Sequence, residues 1–183
     1  ITVTDTIEDK LVQQSLEVTA FAVRLAGGDA DSILLAVPGR NVSVLCESIS
    51  ERYGIDTVAL EHEGLYFPNP EIMSEIIKSI VEEYKPETVI FSHTVRNSQT
   101  AARLSVHKEA CSLTAVETFS EGSDGPVFIR SLFNGKLKES VSPAAGLKIL
   151  TVLPGAFSSA DKSVKSGMNA DVTIKKFSFS SEG

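Results

Sequence analysis

Two hydrophobic periods take turns along the chain. From Lys10 to Leu25, positions Leu11, Ser15, Val18, Ala22 and Leu25 recur at spacings of four and three, which predicts one inward helix face, and Gly27-Gly28 stops it. Ser32–Val37 is instead a continuous apolar run, the pattern of a strand buried on both faces. Pro38-Gly39 is expected to turn the chain into a second helix, Asn41–Tyr53, with Val44, Leu45, Ser48 and Ile49 inward and Gly54 as its stop. Ile55–Leu60 reads as a third short strand, the β-branched Ile1–Val3 being the first.

Asn69-Pro70-Glu71 predicts a helix start: Asn caps, Pro suits the first turn, and Glu favours the positive end of the dipole. Ile72, Ile76, Ile80 and Tyr84 then repeat every four residues, with Met73, Ile77 and Val81 beside them, until Lys85-Pro86 ends the run. Thr88–Ser92 is another buried strand, and Asn97–Val106 a helix carrying Ala101, Ala102 and Leu104. Such alternation predicts a parallel sheet with helices on both faces, joined by right-handed crossovers. After Cys111 the pattern changes: Ser112–Phe119 is a strand, and Val127–Phe133 and Lys136–Val141 flank the hairpin dipeptide Asn134-Gly135. Leu147–Val152 is a buried strand again. Residues 156–171 read as a loop or linker, Val172–Phe179 as an edge strand, and Ser180–Gly183 as a cut end. The expected division is an α/β domain over 1–157 and a linker with an edge strand over 158–183.

Composition narrows the classes. A chain of 183 residues, 42% hydrophobic, suits one domain with a core of its own. Two cysteines, Cys46 and Cys111, are too few for a disulfide scaffold, and both read as buried thiols, which suits a reducing, cytoplasmic setting. Seventeen basic against 24 acidic side chains leave a net charge of −7, which argues against nucleic acid and anionic membrane surfaces as partners. No apolar run is long enough for a membrane-spanning helix, so no membrane insertion is expected.

Dinucleotide-binding, P-loop, zincin, Cys-x-x-Cys and nucleophile-elbow motifs are absent, and no catalytic or metal-binding set emerges. His62 lies in a hydrophilic loop and His107 follows a helix, both read as surface residues. His93 differs, because it follows a buried strand, and ligands of open α/β sheets collect outside the carboxyl ends of strands. There, His93, Thr94, Arg96, Asn97 and Ser98 are candidates to meet a nucleotide phosphate at the helix N-terminus. The alternative is ordinary: Asn97 or Ser98 caps the helix and Arg96 is solvated. Pro38 and Gly39, ahead of Arg40, form a second candidate turn of the same geometry. Glu117, polar in an apolar strand, points to an edge or into a pocket.

The order of these segments resembles the electron transfer flavoprotein alpha subunits. Leu16-Glu17 in the first helix, the strand ending near Pro38-Gly39, and Tyr53-Gly54-Ile55-Asp56 before the next strand resemble that family's opening. Phe91 to Asn97, continuing into Ala101-Ala102-Arg103-Leu104, is similar to its strand, turn and helix, and Thr114-Ala115-Val116-Glu117 to the following strand. Arg130 to Lys136 resembles its Arg-x-x-Tyr-x-Gly-Asn hairpin, and Thr151 to Phe157 its Thr-Val-Arg-Pro-Gly-Ala-Phe stretch. Phe133, Lys136 and Leu153 depart from those patterns, which implies a divergent subgroup.

The resemblance implies an N-terminal domain with a three-layer αβα, Rossmann-like (adenine nucleotide alpha hydrolase-like) fold, its mostly parallel sheet followed by a C-terminal β-hairpin. It further implies that FAD is carried mainly by a second domain beyond this chain. The implied partners are a beta-like subunit and an acyl-CoA or other dehydrogenase as electron donor. In that design the domain is chiefly scaffold. Two other readings stay open: a free-standing adenine-nucleotide-binding module, with AMP as a candidate ligand, and an assembly domain using the Lys136 hairpin or the Val172–Phe179 strand as its interface.

Overall fold

The computed structural model describes residues 1–157 and 170–178. Apolar runs supply a nine-stranded sheet. Seven strands are parallel: β1 (Thr2–Val3), β4 (Leu34–Gly39), β5 (Asp56–Glu61), β6 (Thr88–Ser92), β7 (Cys111–Gly122), β10 (Lys148–Val152) and β11 (Val172–Lys176). Strands β8 (Gly125–Leu132) and β9 (Leu137–Val141) extend the sheet antiparallel beside β7. The order across the sheet is β11-β5-β4-β1-β6-β10-β7-β8-β9. A separate two-stranded hairpin, β2 (Thr6–Ile7) with β3 (Lys10–Leu11), follows β1.

Period-2 alternation divides the strand residues between two cores. Leu35, Val37, Ala59 and Ile90 face helices α1 (Gln13–Leu25) and α2 (Ser43–Tyr53), while Ala36, Val58, Leu60, Val89 and Phe91 face α3 (Pro70–Tyr84) and α4 (Val95–Lys108). The result is a three-layer αβα, Rossmann-like architecture. Ile76, Ile77 and Ile80 of α3 are fully buried, each contributing ~1.5–3 kcal/mol of transfer free energy.

Several boundaries and faces differ from the sequence expectation. The first helix starts at Gln13, because Lys10 and Leu11 pair with Ile7 and Thr6 instead. The connecting residues Glu8 and Asp9 both take positive φ (52° and 58°), the turn that matches strand twist. Pro38-Gly39 is the end of β4, not a turn: Pro38 pairs in register with Leu60 and its carbonyl accepts from Thr6 Oγ1. The inward face of helix α2 is rotated from the expected one: Ile49 is buried and Leu45 half-buried as expected, but Cys46 and Ser50 are buried while Val44 and Ser48 face solvent. The frame follows Val42, which is fully buried at the helix start and sets Cys46 one turn later.

Helix α4 begins at Val95 with Thr94 as its cap, its Oγ1 accepting from Asn97 N–H at 3.2 Å; neither Asn97 nor Ser98 caps it. The expected single hairpin is one half of a β7-β8-β9 meander, and residues Phe133–Lys136 form its second loop, longer than Asn134-Gly135 alone. The C-terminal strand is an edge strand, ending at Lys176 and pairing in parallel with β5. Most of the expected linker, 158–169, and the end from 179 onward lie outside the described residues.

Candidate functional site

Strands succeeding β1 are laid down first on one side, as β4 and β5, and then on the other, as β6. The topological switch point therefore falls between the carboxyl ends of β1 and β6, where a ligand of such a sheet would sit. Three side chains of this chain meet there. Asn97 Nδ2 donates to both carboxylate oxygens of Asp5 (2.8 and 3.0 Å), to the Ser92 carbonyl (3.1 Å) and to Ser92 Oγ (2.9 Å). Ser92 Oγ donates to Asp5 Oδ2. Burial raises the Asp5 carboxyl above its usual range, while the Ser92 and Asn97 hydrogen bonds and the Arg96 charge pull the other way. The Asp5 backbone is fixed as well, since Ser15 Oγ on α1 accepts from its N–H at 2.7 Å and donates to its carbonyl at 3.0 Å.

A second polar cluster lies beside the first. His93 Nδ1 is 2.8 Å from Thr151 Oγ1 on β10 and 3.4 Å from Ser98 Oγ. The Ala115 N–H donates to the same Thr151 oxygen at 3.0 Å, at a bulge where Ala115 takes φ +55°. Thr151 Oγ1 thus ties the His93 ring to the bulge in β7. Asn97 is buried, Arg96 and Val95 are exposed, and Thr94 is half-buried.

The residues that follow Pro38-Gly39 present a row of backbone donors that this chain fills by itself. Arg40 N–H and Asn41 N–H donate to Asp9 Oδ1 (2.6 and 3.2 Å), and Val42 N–H and Ser43 N–H donate to Glu61 Oε1 (3.0 and 3.2 Å). Four consecutive amides at the start of α2, a natural anion cradle, thus hold two of the chain's own carboxylates. Gly39 permits it: a Cβ there would stand 2.8 Å from Asp9 Oδ1 and 2.3 Å from Val42 Cγ1. The β2-β3 hairpin that carries Asp9 is itself held down by Glu8 N–H on the Tyr66 carbonyl (3.1 Å), and Arg40 stacks 4.2 Å over the Tyr66 ring.

The structure thus brings His93 and Ser98 together, and Asn97 with Ser92, while Pro38 and Gly39 close β4, two strands away across β1. Sequence reasoning missed Asp5, Asp9 and Glu61. An acid two residues after a short buried strand, and an acid closing another, were the available signals. Among the described residues no three His, Cys, Asp or Glu side chains stand together as metal ligands, and no helix is long and apolar enough to cross a membrane. His62 is half-buried, its Nδ1 accepting from Gly64 N–H at 2.9 Å, and Glu117 pairs with Lys138 across the meander at 2.8 Å.

Comparison with known proteins decides the family: the model of the electron transfer flavoprotein domain matches residues 1–180. The chain belongs to the electron transfer flavoprotein domain family. It is 24% identical over 142 residues to electron transfer flavoprotein subunit alpha of Bacillus subtilis (strain 168), a match covering 77% of this chain and 43% of that protein. It is likewise 24% identical over 127 residues to the subunit alpha of Syntrophomonas wolfei, covering 68% of this chain and 39% of that one. The chain thus spans about two-fifths of the length of these curated relatives.

Within this flavoprotein domain the stretch Thr151–Phe157 has a clear physical role. Gly155 N–H donates to Glu17 Oε2 on α1 at 2.6 Å, and buried Phe157 meets Phe21 edge to face at 4.9 Å. Arg24 lies over the Phe157 and Phe119 rings, 5.7 and 5.6 Å away. The motif therefore bolts the end of β10 onto α1 before the chain leaves toward β11.

Proposed function

We propose that this chain is the N-terminal scaffold domain of an electron transfer flavoprotein alpha-like subunit. It pairs with a beta-like subunit and with an FAD-bearing domain, in a complex that moves electrons from an acyl-CoA or other dehydrogenase to a redox acceptor. The observation that carries the scaffold reading is the self-filled ligand crevice. The positions where an α/β sheet would take a phosphate hold Asp5 at the switch point and Asp9 and Glu61 at α2. A phosphate entering either place would meet a carboxylate already bound there, and like charges at that range repel. The residues present do not fit an FAD or AMP phosphate at those two positions, so the flavin is assigned to the further domain. The two free thiols suit a reducing, cytoplasmic compartment.

The test is calorimetry and visible absorbance on the purified chain, with AMP, ATP and FAD as titrants. The scaffold reading expects no saturable heat and no flavin colour, together with co-purification when the chain is co-expressed with a beta-type subunit and the flavin domain. Stoichiometric yellow protein overturns it. Saturable heat with AMP that vanishes in Arg96→Ala replaces it with an adenine-nucleotide module built on His93, Thr94, Arg96, Asn97 and Ser98.

A further inference from the structure

Helix α4 carries apolar side chains on two faces, and the fold buries only one of them. Asn97, Thr100, Ala101 and Leu104 are its buried positions. On the opposite side Val95, Gln99, Ala102 and Val106 follow one another at spacings of four, three and four, all in solvent, with Val95 79% and Val106 78% exposed. That spacing is the a/d seam by which one helix packs along another. Valine is a costly choice for a solvated helix position, because its branched side chain loses rotamer freedom without gaining burial.

Charge on the seam's flank is one-sided. Arg96 and Arg103 occupy the adjacent row seven residues apart, both exposed, on a chain whose net charge is −7. The other flank carries Ser98 and Ser105. Arg103 meets Glu71 of α3 at 3.2 Å, an exposed ion pair of the kind that a partner carboxylate can exchange with. Beside this basic row runs an open groove lined by Gly64, Phe67, Pro70, Glu71, Gln99 and Arg103, and the Phe67 ring is 58% exposed, so apolar surface continues from the seam into the groove.

We propose that the outward face of α4 docks an amphipathic helix of a partner protein, its apolar a/d residues on Val95, Ala102 and Val106 and its acidic flank on Arg96 and Arg103. Complementary charge selects the orientation and the partner, while apolar contact supplies the attraction. The proposal stands independently of what moves electrons.

The experiment uses the intact chain and a labelled three-heptad helical peptide with leucine at a and d and glutamate on its flanks, read by fluorescence anisotropy. Saturable binding is expected, weakened at least tenfold by Val106→Glu and by Ala102→Glu and reduced by added salt. Both sites are exposed, so circular dichroism will report an unchanged fold. Val44→Glu, on the exposed side of α2, serves as the control and should leave binding as it is. The proposal is overturned if the acidic peptide does not bind, if a lysine-flanked version binds equally well, or if Val44→Glu weakens binding as much as Val106→Glu. It is also overturned if phosphatidylserine vesicles, and not the peptide, take up the protein.

Discussion

Asn97 holds Asp5 from 92 residues away, its amide nitrogen 2.8 and 3.0 Å from the two carboxylate oxygens. The pair joins the loop after the central strand β1 to the first turn of α4, and with Ser92 it closes the crevice where this sheet reverses its strand order. Removing the amide takes one of two side-chain donors from the Asp5 carboxylate and leaves it to Ser92 alone. Asn97→Ala is therefore expected to cost ~1–3 kcal/mol, the range for weakening the hydrogen bonding of a polar group away from water. Urea denaturation at neutral pH will read the loss, and a variant as stable as the parent would show the pair to be idle.

The same carboxyl makes a pH prediction. Burial raises the Asp5 pKa above its ordinary value of 3.8, so the folded state holds the proton more tightly than the unfolded chain does. A group raised in this way favours the folded state most when protonated, below the unfolded value, and that advantage fades as pH rises through the folded value. Relative to Asp5→Asn, the parent should thus gain stability as pH falls from neutral toward the ordinary aspartate range. Paired melting curves across that range will check the sign, and a parent-minus-variant stability that stays flat or falls as pH is lowered would contradict it.

Gly39→Ala tests the self-filled cradle. The added methyl would meet Val42 Cγ1 and Asp9 Oδ1 at 2.3 and 2.8 Å, displacing the hairpin carboxylate from the amides at the start of α2. Overpacking of this kind costs ~1–3 kcal/mol, so the variant should melt measurably lower. Gly27→Ala, where nothing lies within 4 Å, should show only the strain of its positive φ of 64°.

What was legible in the sequence follows from how local each signal is. Thr88–Ser92 declared itself because a strand buried on both faces must be apolar throughout, and α3 because its isoleucines repeat every four residues. For helix α2 the sequence places Val44, Leu45, Ser48 and Ile49 inward; Ile49 is buried and Leu45 packs at the edge of the core, while Val44 and Ser48 face solvent and Cys46 and Ser50 are buried instead. Its short run offers two frames that share Ile49, one through Val44 and Ser48 and one through Val42 and Cys46. The choice is made by contacts elsewhere, among them Ser50 Oγ donating to the carbonyl of Ala170, 120 residues away. Asp5 was overlooked for the same reason, since Ser92 and Asn97 are remote in sequence. The Glu8-Asp9 turn has neither Gly nor Asn to announce its positive φ angles, and is imposed by Asp9 reaching the Arg40 and Asn41 amides. His93 and Ser98 were found together because one strand-to-helix turn carries both.

Phe157 anchors the segment that follows β10. It is 5% exposed and meets Phe21 at 4.9 Å with the rings 84° apart. Phe157→Ala should cost ~3–5 kcal/mol, as large-to-small changes at buried aromatics do. Phe157→Leu should recover a good part of it by refilling the volume. Thermal denaturation of the two variants separates loss of packing from loss of the aromatic edge contact.

Cys46 and Cys111 should differ sharply toward a thiol reagent. Cys46 is fully buried, and burial, reinforced by the charges of Glu61 and Glu47, pushes its thiol up to about 12. At pH 8 the folded protein will hold it protonated and out of reach, whereas Cys111 is only half-buried. Titration of the native chain with a chromogenic disulfide should release at most one equivalent of thiolate, and Cys111→Ser should release none until denaturant is added. Because the unfolded thiol ionises near its ordinary 9.0, the rate of Cys46 labelling in Cys111→Ser then measures opening of the α2 face. Rapid labelling without denaturant would mean that α2 opens far more readily than a fully buried contact with the sheet allows.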